Sequence, residues 1–478
     1  MHLGIDLGTS SVKAVIVDGD ATVVAQATAP LAVARPQPGW SEQDPDDWWT
    51  AADTAVLALD PGLRRNVRGI GLAGQMHGAV VLGGDDRPLR PAILWNDGRS
   101  AAEAATLGTT PGFTERAANL AMPGFTAPKL LWLRDHEPAL FAAIRTALLP
   151  KDYLRLRMTG DKATDLSDAS GTLWLDVAGR RWSDALLVAG GMAEAQLPVV
   201  VEGTAVTGVL RAEIADRWGM ARVAVAAGGG DNAAGAVGVG VVADGDALLS
   251  LGTSGVIFVA TDTLRPDPPR AVHAFCHCLP GLWHQMSVSL SAAACLDWAA
   301  RLTGTTVAGL FAAAEATGIG TGPELFLPYL SGERTPHNDA AARGALLSLD
   351  HETDRGRIAA AVLEGVAFAL ADGLDALRAA GSRVAELTVI GGGARSRHWG
   401  RILAATLDSP LVYLAGAEIG PALGAARLAA LAVDGGAPAE VCRRPPVAYR
   451  IDPDAALVAR LASRRAAFAD RYARLKGL

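Results

Sequence analysis

The run RVAVAAGGGDNAAGAV, Arg222 to Val237, decides how the rest of the chain is read. Its first six residues, Arg222 to Ala227, have the apolar content of a short buried strand. Gly228 to Gly230 then allow a tight turn, and the small residues from Asn232 to Val241 suit a closely packed helix. Asp231 therefore falls where a strand hands over to a helix. At that position a carboxylate is favoured by the helix dipole and projects towards whatever lies beyond the strand ends. Taken alone, the segment fits a helix cap and a general base for a hydroxyl group equally.

Two glycine hairpins elsewhere shift the balance towards chemistry. The first follows the predicted strand HLGIDL, His2 to Leu7, as Gly8, Thr9, Ser10 and Ser11, with strands expected at Val12 to Val17 and Val23 to Ala29. The second repeats the construction as SLGTSG, with Gly252, Thr253 and Ser254, ahead of the strand VIFVA. Small hydroxyl-rich turns offer backbone N–H groups and side-chain hydroxyls to phosphate oxygens. Only the first copy carries an acid before Leu-Gly-Thr, Asp6, which makes it the candidate ligand for Mg2+. A third glycine turn, GGGARS from Gly391 to Ser396, follows the predicted strand Leu387 to Ile390 and permits close approach of a flat ring or a phosphate chain. Neither a GxGxxG fingerprint in a βαβ unit nor a GxxxxGK loop is present, so these turns are not Rossmann or P-loop sites.

Between the first hairpin and Asp231 lie polar groups of the kind a polyol needs. A strand over Val67 to Ala73 ends in GQMHG, with Gln75, Met76 and His77, and ILWNDGRS supplies Trp95, Asn96, Asp97 and Arg99. Amides, acids and an imidazole alternate donors with acceptors, while an aromatic face covers the C–H side of a sugar. Lys151, Asp152, Arg155 and Arg157 read as a solvated, salt-bridged face, and Asp165, Asp168, Ser170 and Gly171 as a supporting polar turn. Further on, Ser287 to Ala300 reads as helical, and FLPYLSGERTPHNDAAARG as a polar loop crossing the cleft with Glu333 and Arg334. Long helices are expected at Ile358 to Ala379 and Pro421 to Ala430, a linker at Pro445 to Pro453 and a terminal helix from Asp454.

Size and charge bound the alternatives. A chain of 478 residues with 54 Gly and 50% hydrophobic content is expected to form two α/β domains. The formal charge of -7 and the lack of a basic run argue against nucleic acid as a partner, and no clean apolar stretch reaches the length of a membrane span, so a cytoplasmic protein is expected. Four cysteines, Cys276, Cys278, Cys295 and Cys442, make no disulfide framework, and the spacing in HAFCHC is poor for zinc.

The combination of GQMHG, PAILWNDGRS, NLAMPGFTAPKLLW, LLPKDYLRLRMTG, GGGDNAAGAVGVG and LPYLSGERTPHND resembles the FGGY carbohydrate kinases over almost the whole chain. That family belongs to the wider actin, sugar-kinase and Hsp70 ATPase class. The resemblance implies an α/β fold of duplicated actin-like, ribonuclease H-like ATPase domains around a central cleft, here residues 1–245 for the sugar and 246–478 for the nucleotide. It implies ATP and Mg2+ as cofactors, a pentulose as substrate, D-xylulose phosphorylated at its C5 hydroxyl, and a homodimer. Met76, His77, Trp95, Asn96, Asp97 and Asn232 would then meet the sugar, with Asp231 as proton acceptor. Asp6 would serve the metal. Gly8, Thr9 and Ser10 would line the first phosphate region, Gly252, Thr253 and Ser254 the second, and Gly391, Gly392 and Ala394 the adenosine region. Ala340 and Ala341 depart from the polar or proline residues common after HND. Another ketopentose, a deoxyketose or a polyol as substrate, a sugar sensor without transferase activity, and an actin-class chaperone stand as alternatives.

Overall fold

The protein is described by a computed structural model covering residues 1–416 and 420–477, without the side chain of Ala394. In the first half, β1 (His2–Leu7), β2 (Ser11–Val17) and β3 (Val23–Pro30) form an antiparallel meander. β4 (Gly69–Gly74) joins β1 in parallel, β5 (Val206–Val209) lies at the edge, and β6 (Ala224–Ala226) pairs in parallel with β4 and antiparallel with β5. The resulting order is β3-β2-β1-β4-β6-β5. Central strands β1 and β4 are buried on both faces except where Asp6 is half-buried, as in a sheet covered on both sides.

The helices that frame the site in this half are α1 (Pro150–Thr159), α2 (Leu166–Ser170) and α3 (Asp231–Gly238). The second half repeats the sheet with β7 (Ala247–Leu251), β8 (Gly255–Thr261), β9 (His273–Cys276), β10 (Trp283–Ser289), β11 (Leu387–Ile390), β12 (Leu411–Leu414) and β13 (Val447–Ile451). Its order, β9-β10-β8-β7-β11-β12-β13, reproduces the first sheet strand for strand from β10 onward, with the same alternation of antiparallel and parallel neighbours. Each sheet carries one further strand: β9 in the second, and in the first the two-residue strand Gly229–Gly230, parallel to the end of β4. Among the helices of this half are α4 (Arg355–Ala379), α5 (Gly420–Asp434) and α6 (Ala455–Leu475).

The duplication places like with like. The β1–β2 hairpin corresponds to β7–β8, and the turn after β4, which carries GQMHG, corresponds to the GGGARS turn after β11. By the same logic α3 corresponds to α5, and the two helices meet backbone to backbone. A Cβ on Gly424 would stand 1.7 Å from the Ala234 carbonyl oxygen, and one on Gly238 would stand 2.0 Å from that of Gly420. Helix α5 also lies across the first sheet, where a Cβ on Gly4 would come within 2.0 Å of the Ala422 carbonyl oxygen and one on Gly71 within 1.8 Å of that of Ala425. Only residues without a side chain allow such contact.

Three expectations are corrected. Residues 447–451 are the edge strand β13, not a linker: Tyr449 stacks on Tyr413 at 4.3 Å between ring centroids, so the strand has a partner to pack on. Ser287 belongs to β10, and the helix that follows runs only over Ala294–Leu302. Lys151, Asp152 and Arg155 are buried rather than solvated, although Arg157 does pair with Asp46 near the surface. The turn expected around Glu418 lies outside the described residues.

Candidate active site

Asp231 is the first residue of α3, and its side chain does not cap that helix. Its Oδ1 instead accepts from the backbone N–H of Asn232 at 2.7 Å and from Asn232 Nδ2 at 2.9 Å. Burial pushes its carboxyl up to about 6, against the pull of the two Asn232 bonds. Asp6, near the end of β1, is pushed up to about 7, first by burial and then by the charge of Asp231, with Lys13 opposing. Asp6 thus feels the charge of Asp231, and Asp6 Oδ1 is buried without a hydrogen-bond partner. Lys13 stands opposite Asp6 in the β1–β2 register.

The turn bearing Asp231 is held from behind by buried charge. Lys151 Nζ lies 2.8 Å from Asp152, 2.9 Å from Asp165 and 3.0 Å from Asp168, all with fully buried side chains. Asp165 accepts from Ser167 Oγ, which in turn accepts from the backbone N–H of Gly230 at 3.1 Å. Arg155 donates to the carbonyl oxygens of Ala226 and Ala227, at the end of β6. Burial works against the Lys151 charge, but the three carboxylates hold its ammonium above the usual range. Burial also raises Asp168 well above the carboxylate range.

The expected phosphate turns are both closed hairpins. Gly8 N–H donates to the Ser11 carbonyl at 3.0 Å, and Gly252 N–H to that of Ser254 at 3.1 Å. Thr9 Oγ1 donates to Gln75 at 3.0 Å and accepts from Trp95 Nε1 at 3.0 Å, so the first hairpin is wired to the sugar-side turns. Ser10 and Thr253 are exposed, and Ser254 is half-buried. Gly391 has φ of 92°, and a Cβ there would stand 2.6 Å from the Leu251 carbonyl oxygen, whereas one on Gly392 would meet nothing within 4 Å. Gly391 is thus needed by the fold itself, while Gly392 leaves open space. The side chain of Ala394 lies outside what the structure describes. Between the two sheets a cavity of about 850 Å³ runs from Lys13 and Thr28 to Gly391, Arg395, Tyr413 and Gly416.

On the sugar side, Met76 packs against Gly230, where a Cβ would come within 2.8 Å of its Cγ, so GQMHG and the Asp231 turn share one wall. His77 adopts a positive φ of 69°. Its Nδ1 lies 2.9 Å from the Gly171 carbonyl oxygen, and its own carbonyl accepts from Lys129 Nζ at 2.8 Å. Burial, with help from Lys129 and Arg334, lowers its imidazole to about 3, so the ring is neutral. Trp95 and Asn96 are exposed. Asp97 differs from its neighbours: its carboxylate is buried, accepting from Ser41 N–H at 2.6 Å and from Arg99 Nε at 2.9 Å, which leaves a structural brace rather than a side chain presented to the cleft. Arg99 in turn lies 3.6 Å above the Trp40 ring.

Three groups escaped sequence reasoning. Lys13 carried a signal, since alternation along β2 places it opposite Asp6. Lys129 and Ser167 carried none, because nothing local in the sequence indicates that a lone lysine or serine is buried against a distant turn.

The geometry, two phosphate-type hairpins and two acids in a duplicated fold, agrees with what comparison finds. The model for the FGGY family of carbohydrate kinases, N-terminal domain, matches residues 1–238, and the C-terminal domain model of that family matches residues 247–433. The chain is 54% identical to the xylulose kinase of Escherichia coli (strain K12) over 91% of its length and 90% of the relative's. It is 51% identical to that of Klebsiella pneumoniae over 100% of both chains. The crystal structure of a xyloylose kinase from Brucella ovis superposes with a TM-score of 0.96 at 49% identity, covering 99% of each chain. With both domain models matched in order and a relative of this identity aligned end to end, the chain belongs to the FGGY family of carbohydrate kinases.

Proposed function

We propose that this protein transfers the γ-phosphoryl group of ATP to the C5 hydroxyl of D-xylulose, giving D-xylulose 5-phosphate and ADP. The single observation that carries the reading is the half-buried carboxylate of Asp231, held at a helix start where Asp6 feels its charge and next to Gly230, which packs on Met76. Full-length identity of 51% to a xylulose kinase supports the choice of sugar.

Asp231 accepts the C5 hydroxyl proton as that oxygen bonds to the γ-phosphorus and the bond from phosphorus to the bridging oxygen of ADP breaks. A carboxyl near 6 is ionised at neutral pH yet basic enough to take that proton. Asn232 holds the second half of the task, since its two donors fix which carboxylate oxygen faces the substrate. Asp6, with its unpartnered buried oxygen, fits a hard cation, and we assign Mg2+ to it directly or through water. Mg2+ bound there would neutralise charge on the phosphate chain. Gly8 and Gly252 close the two turns, the N–H groups of Thr9, Ser10, Thr253 and Ser254 hold phosphates, Lys13 adds positive charge, and Gly391 and Gly392 with the backbone of Ala394 border the adenosine. Trp95 and Asn96, exposed at the mouth, meet the sugar as it enters. A cytoplasmic homodimer completes the proposal, with the division at residues 245 and 246 between sugar and nucleotide domains. No helix among the described residues is long and apolar enough to cross a membrane.

The test is product identification with ATP and Mg2+ across D-xylulose, L-xylulose, D-ribulose, L-ribulose and glycerol. Preferential formation of D-xylulose 5-phosphate is expected. Preference for another acceptor overturns the sugar assignment, and no product from any acceptor, with ATP bound, overturns the kinase reading. Sedimentation velocity checks the homodimer.

A further inference from the structure

The loop after residue 330 brings a cation from the second half of the chain against the sugar-side wall of the first. Arg334 Nη1 lies 3.4 Å from His273 Nε2. The His273 ring stands 5.6 Å from that of Phe125, edge to face, and Phe125 stands 4.6 Å from His77 in the same manner. A continuous file of rings therefore links Arg334 to the GQMHG turn. No carboxylate pairs with the guanidinium among the described residues. The adjacent Glu333 is spent elsewhere, accepting from Ser289 Oγ at 2.7 Å, Leu290 N–H at 2.9 Å and the backbone N–H of Arg334 at 2.7 Å.

The loop is built to keep that side chain in place. Glu333 and Asp339 exchange two backbone hydrogen bonds of 2.8 Å, closing the loop on itself. Thr335 Oγ1 donates to the Ala271 carbonyl at 2.8 Å and accepts from Val288 N–H at 3.1 Å. From outside, Tyr472 on α6 donates to Asp339 at 3.0 Å and packs its ring 4.1 Å from that of His337. The guanidinium feels the charge of Glu333 but makes no hydrogen bond to it, and a half-buried guanidinium with no carboxylate in contact is costly unless something polar joins it. Holding it in a pinned loop is consistent with a ligand that supplies those acceptors.

We propose that Arg334 binds the keto end of the pentulose, donating from its planar fork to the oxygens on C1 and C2. The inference rests on the kinase reading above and adds a substrate residue contributed by the other half of the chain. Orientation follows from the contacts: Arg334 meets His273 and, through Phe125, His77, whereas the hydrogen bonds of Asp231 go to Asn232. Arg334 is thus assigned to the end of the pocket away from the base. In a five-carbon chain reacting at C5, that end carries the C1 hydroxyl and C2 carbonyl, two adjacent acceptors that a guanidinium fork matches and an ammonium does not.

The experiment measures binding and kinetics for Arg334→Gln and Arg334→Lys with D-xylulose and with 1-deoxy-D-xylulose, which lacks the C1 hydroxyl. Arg334→Gln is expected to weaken D-xylulose binding by tenfold or more, to leave ADP affinity within twofold, and to bind the two sugars alike, whereas the unsubstituted protein favours D-xylulose. Arg334→Lys is expected to recover only part of the loss. Tyr472→Phe, which loosens the loop without touching the guanidinium, is expected to weaken both sugars equally. Unchanged discrimination between the sugars in Arg334→Gln, in protein that still binds ADP, overturns the inference while the kinase reading stands. If the unsubstituted protein binds no pentulose at all, it is the kinase reading that fails.

Discussion

At the scale of single residues, the sequence set Asp231 at a strand-to-helix turn as proton acceptor and Asp97 among the sugar-side groups, and the structure separates the two acids by what their oxygens touch. Asp231 keeps one oxygen outside the pair of Asn232 bonds, while both oxygens of Asp97 are committed to Ser41 and Arg99. Asp231→Asn is expected to lower kcat by about 10²- to 10⁴-fold, the span of general base catalysis, with ADP binding retained. Because the base acts only when ionised and its carboxyl sits at about 6, the pH profile of kcat/KM for the sugar should be flat above that value. Below it the rate should fall tenfold per pH unit as the carboxylate is protonated, and a profile flat down to pH 4.5 would remove Asp231 from the role. Asp97→Ala should instead act on stability. Loss of a buried ion-pair partner leaves Arg99 with Glu42 alone and costs about 3 kcal/mol, read as a lowered urea midpoint.

Secondary-structure elements were legible wherever the pattern was local. The strand Leu387 to Ile390 and the terminal helix capped by Asp454 stand where the sequence placed them, and the two glycine hairpins recur at equivalent places in the two sheets. What failed was anything decided by a distant neighbour. β13 was read as linker because two prolines precede it and its alternation is short, yet a strand edge at β12 was waiting for it. α1 looked solvated because four of its residues are charged, but Lys151 and Arg155 find three aspartates and three carbonyls that no local pattern reveals. The buried group reaches the Asp231 turn through Arg155, which donates to the Ala226 and Ala227 carbonyls, and through the bond from Gly230 N–H to Ser167 Oγ. Ser167→Ala removes that bond and is expected to lower kcat about fivefold, the effect of roughly 1 kcal/mol, with the KM for sugar unchanged. A matching rise in KM, or a loss confined to thermal stability, would mean that the cluster supports the fold without positioning Asp231.

At the scale of the whole molecule, the contact of α3 with α5 joins the Asp231 turn to the inter-domain packing. Asp231 begins one helix, and the other crosses the sheet that carries Asp6, so the separation of the two acids depends on how closely these helices pack. The pair has no side chains to compress at its tightest points, only Gly238 against the Gly420 carbonyl and Gly424 against that of Ala234. Gly424→Ala would place a methyl group 1.7 Å from a carbonyl oxygen, so the backbones must move apart by more than an ångström. Overpacking of this kind costs about 1–3 kcal/mol, and here the displacement is passed directly to the two acids. The expected outcome is a lower melting temperature together with a fall in kcat of tenfold or more. Gly84→Ala, at a position where a Cβ meets nothing within 4 Å, should change neither. If Gly424→Ala loses stability but keeps kcat within twofold, the helices pack the domains together without setting the distance between the acids, and the alignment of Asp231 with Asp6 must come from the hairpin and the Ser167 turn alone.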